Sequence, residues 1–151
     1  MKEVIEKLLE KNITITTAES CTGGLIASEI TKYAGVSAIY PGSVVSYSNE
    51  IKMKLLGVKE KTLIEHGAVS KECVKEMLSG VGELMGADIS VAVSGIAGPD
   101  GGTDEKPVGL VFIGVKLKEE FFIEKNIFKG DRNEVQQKAK NRAFEMVLKL
   151  I

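Results

Sequence analysis

The run Ala87–Val93 is built largely of small and branched apolar residues, the pattern of a strand covered on both faces of a sheet. Such a strand needs helices on either side, which constrains the chain toward a layered α/β fold. The run leads into Ser94–Pro107, where Gly95, Gly98, Gly101 and Gly102 stand with Pro99 and Pro107. No helix or central strand tolerates that density, so the segment reads as a loop at a strand end, where open α/β sheets bind ligands.

Apolar spacing predicts amphipathic helices over Met1–Lys11, Thr22–Lys32, Asn49–Leu56, Ser70–Met85 and Asp131–Ile151. In the fourth, Val74, Met77, Leu78, Val81 and Leu84 make the core stripe, Ser70 caps it and Gly86 stops it; Gly57 ends the third. Strand-like runs occupy Ile13–Ala18, Ile39–Tyr47 with an irregular start at Pro41-Gly42, and Val108–Leu117 with Phe121–Phe128 as a hairpin. The expectation is a three-layer α/β/α sandwich whose mixed, mostly parallel sheet ends in an antiparallel hairpin. Its 151 residues suit a single domain over 1–151.

Several function classes drop out. With 20 Lys and Arg against 21 Asp and Glu, no bulk positive field recruits nucleic acid or anionic lipid, so an anionic ligand has to be small and locally held. No apolar run approaches the roughly 20 residues of a membrane span, and the charged, amphipathic start is unlike a signal peptide. The expected location is the cytoplasm, with no membrane partner. Cys21 and Cys73 are far apart and read as free thiols. One histidine, His66, leaves a histidine-based zinc site or a Ser-His-Asp triad hard to assemble, and a loop or helix-end place is expected for it.

Candidate chemistry begins at Thr16–Gly24, hydroxyls and glycines where a strand gives way to a helix. A turn there exposes its side chain, so Ser20 is a candidate nucleophile, with Cys21 next to consider. Helix capping by Ser20 and Thr22, with Gly23 and Gly24 giving room, is the simpler account of that segment alone. Without a suitable histidine the base is a carboxylate or a lysine made neutral by apolar surroundings. Lys52, between Ile51 and Met53, suits that better than Lys54 or Lys59. Tyr47 can relay a proton or pack at a strand end. Amides of the loop holding Gly95, Ile96, Ala97, Gly98, Gly101 and Gly102 can cradle a phosphate, although neither a P-loop nor GxGxxG is present. Arg132, at the start of the last helix, is a phosphate partner or an ordinary helix-end ion pair.

Together these segments resemble a known family, the C-terminal domain of the competence-damage-inducible CinA proteins, which includes stand-alone nicotinamide-nucleotide amidases of the PncC type. The resemblance is carried by Thr17–Gly24, Gly42–Asn49 with Lys52, Leu55–Val58, Gly67–Ser70, Ser94–Gly102, Lys106–Gly109 and Phe128–Arg132. It implies hydrolysis of the carboxamide of nicotinamide mononucleotide to nicotinic acid mononucleotide and ammonia, without metal or other cofactor, in a homo-oligomer, commonly a dimer. By position, Ser20 falls on the nucleophile, Lys52 on the general base and Tyr47 on an assisting hydroxyl. Substrate-binding residues would then be Thr22, Gly23, Gly24, Asn49, the glycine loop and Arg132. Gln136 departs from the arginine expected early in the last helix. Two other classes stay open: a catalytically silent nucleotide-binding or assembly module, and an amidohydrolase for another phosphorylated amide.

Overall fold

In the computed structural model, which describes residues 1–151, the apolar run forms the central strand of a five-stranded sheet. In chain order the elements are α1 (Lys2–Lys11), β1 (Ile15–Glu19), α2 (Leu25–Ile30), a 3-10 turn at Val36–Ala38, β2 (Ser43–Val45), α3 (Asn49–Leu56), α4 (Glu60–His66) and α5 (Lys71–Met85). There follow β3 (Ile89–Gly95), β4 (Leu110–Leu117), β5 (Glu120–Ile127) and α6 (Arg132–Leu148). Strand order is β2-β1-β3-β4-β5. β1 pairs in parallel with β2 and β3, while β4 is antiparallel to both β3 and β5. Only β4 runs against the rest, so the sheet is mixed and closes in a hairpin, as expected.

The period-2 alternation of the strands sorts their side chains into two cores. Ile89, Val91 and Val93 of β3 join α1, α2 and α6 in a cluster of 22 buried residues. Ala92, facing the other way, joins Leu56 of α3 and Val74, Met77, Leu78 and Val81 of α5 in a cluster of 10. Each fully buried aliphatic side chain contributes roughly 1.5–3 kcal/mol. The sheet is thereby the middle layer of a sandwich. α3 and α5 approach closely, because a Cβ at Gly80 would sit 1.9 Å from the Leu56 carbonyl oxygen. Any larger residue there displaces the helix that carries Lys52.

Four local expectations are corrected. The helix after Ser20 starts at Leu25 rather than Thr22, since Gly23 and Gly24 have φ of 59° and 100° and cannot enter a right-handed helix. Leu84 is 55% exposed; a 3.6-residue period carries the stripe from Val81 to Met85, which packs on the smaller core. The strand predicted over Ile39–Tyr47 narrows to Ser43–Val45. A helix at Glu60–His66, ending at the lone histidine, had no apolar stripe to announce it. Its Thr62 hydroxyl donates to Glu76 of α5 at 2.8 Å, a tie made across elements.

Candidate active site

β1 sends successive side chains to opposite faces, and its C-terminal end uses both. Glu19 points toward α2, where its carboxylate accepts from the amides of Gly24, Ile26 and Ala27 at 3.0, 3.1 and 2.8 Å and from the Thr17 hydroxyl at 3.2 Å. The first turn of α2 is therefore capped by a buried carboxylate from the preceding strand. That work is taken from Ser20, whose side chain is free for another role. By the same alternation Ser20 turns to the α3 face.

There it meets Lys52. Lys52 Nζ lies 3.0 Å from Ser20 Oγ and donates to the Ser46 carbonyl at 2.7 Å. Lys52 is 1% exposed and Ser20 8%, so the pair is almost wholly out of water. The Ser48 hydroxyl accepts from the Ile51 amide and starts α3; Gly57, in the left-handed region, ends it. The helix thus presents Lys52 inward at the end of β1. Burial pushes the Lys52 amine below its usual value, the nearby thiols of Cys73 and Cys21 opposing in part. No carboxylate is among its hydrogen-bond partners to hold the proton on. Such a placement favours the neutral form of the amine over the charged one.

Cys21 has the opposite character. Burial, as the main cause, pushes its thiol up to about 12 and that of Cys73 up to about 11, and both are free and buried. Neither forms a thiolate readily near neutral pH.

Beside the pair lies a crevice of about 230 Å³ at the strand ends, with Cys21, Tyr47, Ile96, Gly98, Asp100 and Arg132 in its walls. Gly95, Ala97 and Gly101 line it too, so most of the predicted glycine loop is brought to one place. Arg132 spans it: one guanidinium nitrogen donates to the Gly98 carbonyl at 2.7 Å and the other to the Tyr47 hydroxyl at 2.7 Å. A larger groove of about 540 Å³, among α3, α4 and α5, is lined by none of the predicted site residues; neither hollow is lined by Ser20 or Lys52 themselves, but the crevice is walled by Cys21, next to Ser20 in the chain.

The other predicted residues divide. Tyr47 is 63% exposed and bonds to Arg132 rather than to Ser20 or Lys52. The Gly24 amide is taken up by Glu19, Gly23 is exposed, and Asn49 is exposed on the first turn of α3. Gly102 lies outside the crevice; a Cβ there would be 2.7 Å from the Val108 amide nitrogen, so it serves the fold of the loop. Thr22 is buried and its hydroxyl has no partner within the chain; the same holds for Ser46. The role of Glu19 escaped the sequence, since it has no spacing signature; Gln136 of α6, noted only as a departure from an expected arginine, donates its side-chain amide to the Cys21 carbonyl at 2.7 Å, 115 positions away. No group of three or more His, Cys, Asp or Glu side chains converges as metal donors. No helix is long and apolar enough to cross a membrane.

Known proteins resemble this chain in sequence and in fold along its whole length. A CinA-like protein of Thermotoga maritima is 48% identical over 152 residues and one of Fusobacterium nucleatum 50% over 142, covering 100% and 94% of this chain. The chain spans little more than a third of those relatives, 37% and 34% of their lengths. Among solved structures, the competence damage-inducible protein A of Klebsiella pneumoniae is 41% identical with a TM-score of 0.95, covering 99% of this chain and 93% of its own. A competence/damage inducible protein of Agrobacterium tumefaciens is 38% identical, also with a TM-score of 0.95, over 99% and 92% of the two chains. The match to the CinA C-terminal domain runs over residues 1–151, and the chain belongs to that family.

Proposed function

We propose that the chain is an amidohydrolase that converts nicotinamide mononucleotide to nicotinic acid mononucleotide and ammonia with Ser20 as nucleophile and Lys52 as base. The observation that carries this reading is the 3.0 Å contact between the two side chains, with the amine buried and unpaired by any carboxylate. A neutral amine has one lone pair and two N–H groups. The Ser46 carbonyl takes one N–H, which helps turn the lone pair toward Ser20 Oγ.

Lys52 takes the Ser20 proton as Oγ bonds to the carboxamide carbon, and the carbonyl oxygen becomes an oxyanion. Collapse of that intermediate breaks the C–N bond; protonated Lys52 returns the proton to the departing nitrogen, and ammonia leaves. Water then attacks the ester on Ser20 with Lys52 again as base, releasing the carboxylic acid and restoring the hydroxyl. The pyridinium ring of this substrate carries a positive charge beside the reacting carbon, which further disfavours protonated Lys52. Loop amides and Arg132 suit a phosphate at the crevice, away from the reacting bond.

The test is ammonia release from nicotinamide mononucleotide, followed beside thermal stabilisation by the same compound. Ser20→Ala is expected to lose turnover by about 10⁴-fold or more while stabilisation persists. Wild-type rates in Ser20→Ala would overturn the nucleophile. Stabilisation of the wild-type chain without ammonia would replace the enzyme by a binding module, and faster release from another phosphorylated amide would replace the substrate.

A further inference from the structure

The turn that carries Ser20 is held at three points. The Ser20 amide donates to the Val93 carbonyl at 3.0 Å, extending the β1–β3 ladder by one residue. The Gly23 amide donates to the Ser20 carbonyl at 3.0 Å, closing the turn. The third tie comes from a distant element: Gln136, on the second turn of α6, donates its side-chain amide to the Cys21 carbonyl at 2.7 Å. We infer that Gln136 is a positioning residue for the nucleophile, fixing the Cys21–Thr22 peptide plane so that the turn presents Ser20 and its following amides in one orientation. This rests on the Ser20–Lys52 reading above.

A trans peptide points its C=O and N–H in opposite directions. Drawing the Cys21 carbonyl toward α6 therefore aims the Thr22 N–H away from α6, and neither backbone nor side chain accepts from that amide. Cys21 is 5% exposed and Thr22 1%, so the orientation is set in a largely dry place where a wrongly turned peptide is not rescued by water. The Thr22 hydroxyl, buried and also without a partner in the chain, belongs to the same peptide unit's neighbourhood and moves with it. Two left-handed glycines follow at Gly23 and Gly24, so the chain just beyond the turn has wide backbone freedom of its own. An external tie is what such a turn requires. α6 is well placed to supply it: Val135, Ala139 and Ala143 bury its inner face in the larger core, and an Asp131–Glu134 capping box fixes its start.

The role separates from catalysis proper because Gln136 contacts neither Ser20 Oγ nor Lys52. Its loss should slow bond formation at Ser20 while leaving substrate binding nearly intact. Gln136→Met keeps the side-chain length and removes the donor; Gln136→Lys keeps a donor. Each is assayed twice, for ammonia release from nicotinamide mononucleotide and for the rate at which a fluorophosphonate labels Ser20. In the second reaction Oγ bonds to phosphorus, fluoride leaves and Lys52 accepts the hydroxyl proton, so the rate reads the nucleophile without any need for the nucleotide.

For Gln136→Met, kcat and the labelling rate are expected to fall together by about tenfold, the effect of one lost hydrogen bond, with KM within about twofold of wild type. Gln136→Lys should recover most of both rates. Wild-type labelling in Gln136→Met, or an effect confined to KM, overturns the positioning role while leaving the Ser20–Lys52 reading in place. Equal loss in Met and Lys variants also overturns it, since packing and not the donor would then be at issue. A wild-type chain that neither labels at Ser20 nor releases ammonia overturns the inference and the proposed function together. Labelling without ammonia removes only the substrate.

Discussion

The Ser20–Lys52 pair and the Tyr47–Arg132 bridge differ in what surrounds them. The first is in the interior, with Lys52 1% exposed; the second is at the rim, with Tyr47 63% exposed. Desolvation changes chemistry at the first, pushing the lysine toward its neutral form. At the rim, water screens charge, and a guanidinium there is suited to binding and orienting an anion. On the proposed function, burial would divide bond-breaking from binding, and variants at the two places should fail in different ways.

The largest effect is expected at Lys52. Lys52→Met should reduce turnover by about 10³ to 10⁴-fold, the range of a lost general base. It should also raise the melting temperature, because it replaces a buried ionisable group by an apolar one. The sign with pH is definite. The folded-state value lies below the ordinary 10.5, so between the two the unfolded chain binds more protons and stability rises with pH. Below the folded value both states are protonated and the full penalty of burial is carried. The advantage of Lys52→Met in melting temperature should therefore be greatest at low pH and shrink toward pH 10.5. Wild-type kcat should climb through that lowered value. A variant that melts lower by the same margin at every pH would mean that the amine is a structural tie and not a tuned base.

A smaller and different loss is expected at the rim. Arg132→Ala removes hydrogen bonds to Gly98 and Tyr47 and the positive charge at the crevice. KM should rise by about 10- to 100-fold, the range of a charge-assisted contact, with kcat changed by no more than a few fold. The salt dependence of KM should flatten as well. A drop confined to kcat would move Arg132 from binding to chemistry and erase the division.

How far this division was legible in the sequence depended on the range of the signals. Where cap, stripe and stop lie within one element, reading succeeded: Asn49–Leu56 ended at Gly57, and Ser70 and Gly86 bounded α5. Where one element is completed by another it failed. Glu60–His66 is held by Glu76, and α2 is started by Glu19 from the preceding strand. Ser20 and Lys52 could be singled out by type and flanking residues, but their meeting across 32 positions depends on strand alternation and on the close approach at Gly80. The Gln136–Cys21 bond, between residues 115 apart, left no local trace.

Tyr47 gives the smallest expected effect and the sharpest test of the boundary, since the two roles open to its hydroxyl differ in magnitude. As a proton donor to the reacting centre, its loss in Tyr47→Phe would lower kcat by about 10²-fold or more. As the acceptor of an exposed Arg132 contact, its loss should lower kcat/KM by only about two- to fivefold, mostly through KM. The second outcome is expected, because the hydroxyl is committed to the guanidinium at 2.7 Å and the side chain stands largely in water. The Arg132→Ala background sharpens the measurement. If the hydroxyl acts through the guanidinium, adding Tyr47→Phe to Arg132→Ala changes nothing further, whereas an independent role on the reaction would multiply the two losses.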